Sequence, residues 1–379
     1  MKVLSLNAGS SSLKFAAFSA QKEGQEEILR GSIENLGTDH ARLNISSSGA
    51  AGGVPVRTLG EAVGHVLSLA PRVDAVGCRV VHGGTRFTES ALVDDGVIEA
   101  IKELAPLAPL HNAHDVEVLN AVRKARAGTP VVAVFDTAFH RTLPDLARRY
   151  ALPEGLDEVR RFGFHGISYQ YISNRMKEVL AAGQDRLIVC HLGNGSSVCA
   201  IKDGQSMETS MGMTPLEGLV MGTRSGDLDP GALLYLLREK GMSEKEVDDL
   251  LNRQSGLLGV SGLSSDVREL ETAATNGNRQ AAFALDLFAY RVAKYVGAYS
   301  VVLDGFDALV FSGGIGQHSH RVRSSVCSRL ASLGVGLPAE ANDSKTLCRL
   351  SVGRPSVWVA RTDEEWQIAA ETREPASFL

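Results

Sequence analysis

Three stretches of this sequence place glycine beside hydroxyl and amide side chains in the way that suits an anion. They are Asn7-Ala8-Gly9-Ser10-Ser11-Ser12, with Lys14 two residues beyond; His191-Leu192-Gly193-Asn194-Gly195-Ser196-Ser197; and Ser312-Gly313-Gly314-Ile315-Gly316. In such turns backbone N–H groups converge on phosphate oxygens because glycine removes the side-chain obstruction, while hydroxyls and a lysine add donors and charge. Each alone is ordinary turn chemistry. Three together, each closing an apolar run, point to a phosphate-bearing ligand. The familiar forms are absent: no Gly-Lys dipeptide exists for a P-loop, and Gly193-x-Gly195 and Gly314-x-Gly316 lack the third glycine of the dinucleotide fingerprint.

Two arginines could meet phosphate or carboxylate oxygens with a planar, permanently charged fork. Arg79 lies at the end of an apolar run in Gly77-Cys78-Arg79-Val80-Val81-His82-Gly83-Gly84, and Arg224 lies in the loop Met221-Gly222-Thr223-Arg224-Ser225-Gly226-Asp227. Either could equally sit in a surface ion pair of little worth. Asp136 ends the apolar Val131–Phe135 run, where a carboxylate is costly unless it is paired or holds a metal, so a functional role is favoured there. The histidines at 111, 114, 165, 191, 318 and 320 lack metalloprotease spacing and read as turn or core residues, with neutral donation to phosphate as an intermediate possibility. No Gly-x-Ser-x-Gly elbow occurs, so serine hydrolase chemistry has no anchor.

The elements that must hold these residues follow from periodicity. Residues 2–6 and 13–19 read as strands around the first turn, and 187–190 and 198–201 as strands around the second. An offset of 186 superposes Leu6, Gly9, Ser10 and Ser11 on Leu192, Gly195, Ser196 and Ser197, which suggests a duplicated architecture. Helical spacing covers 59–70, 93–104, 115–127, 172–182, 230–240, 279–303 and 364–371; short strands are expected at 75–81, 131–135, 308–311 and 357–360. In the long helix the apolar positions are Phe283, Leu287, Tyr290, Ala293, Val296 and Val301. Alternating strands and helices make the chain α/β, with a domain boundary near residues 137–150.

Composition excludes several classes. The 379 residues carry 39 Lys plus Arg against 44 Asp plus Glu, a net charge of -5, so nothing draws the whole chain to nucleic acid or an anionic membrane. With 44% hydrophobic and 22% charged residues it is an ordinary globular chain. Its five cysteines form no C-x-x-C pair and are odd in number, so reduced buried thiols are expected. No apolar run approaches about 18 residues and no signal-like core is present, which places the protein in the cytoplasm.

These pieces resemble the acetate kinase family over almost the whole chain. The most specific blocks are Val3 to Phe15, Arg79-Val-Val-His-Gly-Gly, Pro106-Leu-Ala-Pro-Leu-His111-Asn, Val134-Phe-Asp136-Thr-Ala-Phe-His140, Arg161-Phe-Gly-Phe164-His165-Gly, His191-Leu-Gly-Asn-Gly195, Met213 to Asp227 and Thr362-Asp-Glu364-Glu. The resemblance implies two ribonuclease H-like domains of the duplicated, actin-like ATPase fold flanking a nucleotide cleft. Residues 1–140 would form the first, 141–365 the second nucleotide-binding and dimerisation domain, and a helix at about 366–379 would pack back on the first.

By the same resemblance the activity would be Mg²⁺- or Mn²⁺-dependent transfer of the ATP γ-phosphoryl group to acetate, giving acetyl phosphate and ADP, in a homodimer. Asn7 and Glu364 would place the metal. Lys14, His191, Leu192, Gly193, Asn194, Gly195, Asp266, Val267, Arg268, Gly314, Ile315, Gly316, Gln317 and His318 would hold the nucleotide. Arg79 and His111 would bind the acid, Val81, Leu110, Phe164 and Pro215 would form its small apolar pocket, and His165 and Arg224 would stabilise the transferring group. The family treats Asp136 as an acid or base, but a carboxylate acceptor is already ionised at neutral pH, so orienting an arginine or metal-bound water is the preferred role.

Three alternatives stay open: propionate as acceptor, pyrophosphate as donor, and a phosphohydrolase of the same superfamily. The chain also departs from the family where His165-Gly166-Ile167-Ser168-Tyr169 lacks a second histidine and where Gly316 leads into Gln317-His318.

Overall fold

The structure is a computed structural model that describes residues 1–9, 11–20, 24–46, 48–105, 112–336, 347–351 and 353–377. Its contacts divide the chain into two compact units. One comprises Met1–Phe139, Gly166–Tyr171 and Asp363–Leu379, the other His140–His165 and Ile172–Thr362.

The first unit is built on an eight-stranded sheet. Its strands are β1 (Lys2–Ala8), β2 (Ser12–Ala20), β3 (Gln25–Glu34), β4 (Arg42–Ile45), β5 (Ala50–Gly53), β6 (Ala75–Val80), β7 (Ala91–Leu92) and β8 (Val131–Phe135), in the order β5-β4-β3-β2-β1-β6-β8-β7. The second unit holds β9 (Arg186–Leu192), β10 (Ser196–Lys202), β11 (Gln205–Thr209), β12 (Ala308–Ser312), β13 (Leu347–Arg349) and β14 (Ser356–Ala360), in the order β11-β10-β9-β12-β14-β13. In both, three antiparallel strands run as a meander and two further strands join parallel to the first, β6 and β8 in one and β12 and β14 in the other. This shared order is the duplicated ribonuclease H-like topology.

The repeat has a different register from the one the identities suggested. A shift of 184 carries Lys2–Ala8 onto Arg186–Leu192 and Ser12 onto Ser196, two residues away from the offset of 186. Strand pairing, which fixes register, overrides a match among small turn residues. The turns are also shorter than expected, because Asn7 and Ala8 pair with Lys14 and Leu13, and Leu192 pairs with Ser196.

Period-2 burial explains why β8 reads as an unbroken apolar run. Val131, Ala133 and Phe135 face the core made with the helices Leu59–Leu69, Asp95–Glu103 and Asn112–Ala125. Val132 and Val134 face Ile368 of the helix Glu364–Ala376 on the opposite side. Each buried aliphatic side chain contributes about 1.5 to 3 kcal/mol, so a sheet covered on both faces is apolar throughout.

Three expectations need correction. The chain order 1–140 then 141–365 is interrupted, since Gly166–Tyr171 belongs with the first unit. The helix there is Gly166–Lys177, starting six residues before the expected 172, because Gly166 N–H donates to the Asp136 carbonyl at 2.8 Å. A Cβ at 166 would lie 2.3 Å from that carbonyl oxygen, so only glycine permits the join. In the helix Arg279–Val302 the core stripe is Ala281, Ala284, Leu285, Phe288, Ala289, Val292 and Val296, while Phe283, Tyr290 and Val301 are exposed at 57%, 49% and 80%. This helix carries two apolar stripes, and spacing alone does not say which one meets the sheet.

Candidate active site

The parallel register of β6 and β8 sets Arg79 opposite Val134 and Val80 opposite Phe135, so Asp136 emerges at the same sheet edge as the end of β6. There Arg79 Nη2 donates to Asp136 Oδ2 at 2.9 Å and Nη1 to the Ala8 carbonyl at 3.3 Å, while Arg79 Nε is buried with no partner among the described residues. Asp136 is 2% exposed, and its Oδ1 accepts from the Ile167 N–H at 3.4 Å. Burial pulls the Arg79 guanidinium down, but the Asp136, Glu364 and Asp115 carboxylates outweigh it and hold the group above its ordinary value. One residue beyond β6, the Val81 N–H donates to Asp115 Oδ2 at 2.8 Å. Asp115 is 2% exposed, and burial pushes its carboxyl up to about 7 against the Val81 amide and Arg79, with Asp136 adding to the rise.

Beside β1 lies an acidic pair. Asn7 Nδ2 donates to Glu364 Oε2 at 2.8 Å and to Glu365 Oε1 at 3.0 Å. Arg30 takes up Glu365 and Asp363, the latter through both carboxylate oxygens, whereas Glu364 forms no ion pair among the described residues. Burial raises the Glu365 carboxyl, Glu364 raises it further, and Lys14, opposite Asn7 in the β1–β2 register, lowers it. A carboxylate without a cation and an amide beside it are hard oxygen donors of the kind Mg²⁺ accepts together with phosphate and water. The residues therefore fit that metal, although no group of three or more His, Cys, Asp or Glu gathers as a ligand cluster among the described residues.

In the second unit His165 takes a left-handed conformation, φ 59° and ψ 23°, at the start of the helix Gly166–Lys177. Its Nδ1 lies 2.8 Å from Ser197 Oγ, and its ring stacks on His191 at 4.3 Å. Arg224 Nη1 donates to the Pro215 carbonyl at 3.2 Å and approaches Met221 Sδ at 3.8 Å. No carboxylate pairs with Arg224 among the described residues, and burial, unopposed, lowers its pKa. Both side chains converge on Gly195: a Cβ there would stand 3.5 Å from His165 Nε2 and 3.6 Å from Arg224 Nη1. Phe164, buried at 2%, is fixed by His140, whose Nε2 meets its carbonyl at 3.0 Å.

A cavity of about 530 Å³ in the same unit is lined by Gly193, Asn194, Asp266, Val267, Arg268, Gly314, Ile315 and His318, with Ser265, Glu271 and Ser319 completing it. This volume lies in the range of cofactor-sized sites. Asp266 opens the helix Val267–Thr275, accepting from the Arg268 N–H at 2.8 Å while pairing with its guanidinium.

Not every expected nucleotide residue reaches this cavity. Leu192 is fully buried in the sheet core, Gly316 packs under Phe311, and Gln317 Nε2 turns to the Ala360 carbonyl at 3.3 Å. These three are held by the fold because they continue β9 and the short helix Gly313–His318 after β12. His191 and Gly195 stand with His165 instead, and Lys14 belongs to the first unit. Of the expected acid pocket, Val81 lies in the first unit, Phe164 and Pro215 in the second, and Leu110 and His111 outside the described residues.

Sequence reading missed three residues. Ser197 orients His165 from 32 positions away, Glu365 shares Asn7 with Glu364, and Asp115 holds the Val81 amide. Glu365, adjacent to Glu364, and Ser197, the last residue of the second glycine turn, carried a signal in the sequence; Asp115 carried none.

Residues 2–370 match the acetokinase family. The acetate kinase of Dictyoglomus thermophilum is 44% identical over 395 residues, covering 98% of each chain. Among solved structures, Porphyromonas gingivalis acetate kinase aligns with a TM-score of 0.87 at 39% identity, covering 99% of each chain. A Francisella tularensis propionate kinase aligns with a TM-score of 0.91 at 36% identity, covering 98% of this chain and 99% of its own. This chain belongs to the acetokinase family.

Proposed function

We propose that this chain is an acetate kinase, which moves the γ-phosphoryl group of ATP reversibly to acetate and yields acetyl phosphate and ADP. The observation that carries the reading is Arg224: a half-buried guanidinium without a carboxylate partner among the described residues, aimed with His165 at a glycine. A cation left uncompensated in this way is stabilised by an anionic ligand, and phosphoryl transfer is chiefly positioning plus neutralisation of charge on the equatorial oxygens.

In this reading Arg79, oriented by Asp136, holds the acetate carboxylate, and Val81, two residues on, limits its size. An acetate oxygen attacks the γ-phosphorus; the bond to the bridging oxygen breaks and its electron pair leaves on the β-phosphate of ADP. No proton needs to move, because the acid is ionised at neutral pH. His165, oriented by Ser197, and Arg224 neutralise the transferring group, and the cavity around Gly193, Asp266 and His318 takes the nucleotide. Asn7 and Glu364 would hold Mg²⁺ or Mn²⁺, which would supply positive charge to the phosphate oxygens when bound.

The exposed Phe283, Tyr290 and Val301 on one helix support a homodimer through that face. Free cysteines, four of them buried, suit a reducing cytoplasm. ADP release in a coupled assay, with ATP and Mg²⁺ and with or without acetate, tests the reaction class. Acetate-dependent release is expected; release at the same rate without acid would make the chain a phosphohydrolase and overturn the proposal.

A further inference from the structure

Asp115 belongs to no step of the reaction above, yet it is a 2%-exposed carboxyl at the end of the strand that carries Arg79. It sits in the first turn of the helix Asn112–Ala125 and reaches across to accept the Val81 N–H at 2.8 Å. That bond fixes the backbone two residues from Arg79 and at the side chain that would bound the acid. Its neighbour Asn112 ties the same helix to the His82 carbonyl at 3.4 Å. The helix is thereby bolted to the strand end by two buried side chains.

We propose that Asp115 is a positioning residue of the carboxylate half-site, which holds the Val81 amide in place and, by its charge, sets how strongly Arg79 attracts the acid substrate. The inference rests on the assignment of Arg79 to that substrate. Arg79 already faces Asp136 at 2.9 Å. With Asp115 ionised, the Arg79 guanidinium would answer three protein carboxylates, those of Asp136, Glu364 and Asp115, and a fourth from the substrate; with Asp115 protonated, it answers one fewer.

The groups facing Asp115 are the Val81 amide, Arg79 and Cys78 of β6 and Asp136 after β8, with Glu364 acting through Arg79 and His114 on its own helix. Burial pushes the Cys78 thiol up, so it stays neutral. Burial holds the Asp115 carboxyl at about 7, so its proton is exchanged in the physiological range. Substrate carboxylate favours the protonated form, and by linkage its affinity falls as pH rises through that value.

The test is KM for acetate, KM for ATP and kcat of the full chain from about pH 6 to about pH 8.5, for the native protein, Asp115→Asn and Arg79→Gln. Asp115→Asn keeps an oxygen for the Val81 amide but cannot ionise. The native KM for acetate is expected to rise about fivefold across this range, with the rise absent in Asp115→Asn and the ATP dependence shared by both. Superimposable acetate profiles for the two would overturn the proposal. If instead Arg79→Gln leaves the acetate KM unchanged, the assignment of Arg79 itself fails, which is a separate result. Should Asp115→Asn not fold, calorimetry of acetate binding to the native protein at neutral pH in buffers of different ionisation enthalpy decides: proton uptake supports the proposal and its absence overturns it.

Discussion

Arg79 and Asp136 stand 57 residues apart in sequence and meet at 2.9 Å at the edge of a sheet covered on both faces. A buried pair broken from one side leaves an uncompensated charge, at a cost of about 3 to 5 kcal/mol. Asp136→Asn should therefore release Arg79 from its orientation and lower acetate turnover by about a hundredfold, with a changed Mg²⁺ dependence. Steady-state rates across a Mg²⁺ series check this, and native turnover with native Mg²⁺ dependence would rule out the orienting role.

Arg224 presents the opposite case, a guanidinium that the fold desolvates without a carboxylate partner among the described residues. Such a residue serves chemistry at the expense of stability. Arg224→Leu should cost about a thousandfold in kcat while leaving the melting temperature unchanged or higher. A clear fall in melting temperature would show that Arg224 is held by the fold for its own sake.

Gly195 separates His165 from Arg224 by the width of a side chain. A methyl group there would meet ordinary contact distances of 3.5 and 3.6 Å, so Gly195→Ala should fold with stability altered by less than about 1 kcal/mol. It would nevertheless fill the space between the two groups that neutralise phosphoryl oxygens, and kcat/KM should fall more than about tenfold. Unchanged kinetics would place the transferring group elsewhere. Gly256→Ala is the contrast, since its backbone is left-handed at φ 65° and its Cβ would lie 2.3 Å from the Met221 carbonyl oxygen, which must disturb the fold.

Val81 bounds the acid beside Arg79, and a branched side chain leaves less room than a methyl. Val81→Ala should shift preference toward propionate by about 1 to 3 kcal/mol in kcat/KM, the usual worth of one methylene. Specificity constants for the two acids measure it, and an unchanged ratio would remove Val81 from the pocket.

The elements were legible where periodicity is strong: helical spacing at 59–70 meets the helix Leu59–Leu69, and the apolar Val131–Phe135 run marked a buried strand. Register was not: small residues matched at an offset of 186, whereas hydrogen-bonded pairing fixes 184. The arginines and Asp136 stood out because charge at the end of an apolar run demands a partner. Asp115 did not, since a carboxylate in the first turn of a helix is ordinary until its burial and its bond to a distant amide are known. Ser197 was legible as part of a glycine turn but its role beside His165 was not, since that follows from the pairing of β9 with β10 and a bond across 32 residues.

The most direct measurement is to trap acyl phosphate as its hydroxamate and count ADP in the same reaction, with ATP, Mg²⁺ and acetate. Hydroxamate and ADP formed in equal amounts, both abolished in Arg79→Gln and in Arg224→Leu, is the predicted result. ADP formed without hydroxamate, or hydroxamate persisting at native rates in either variant, would contradict the account.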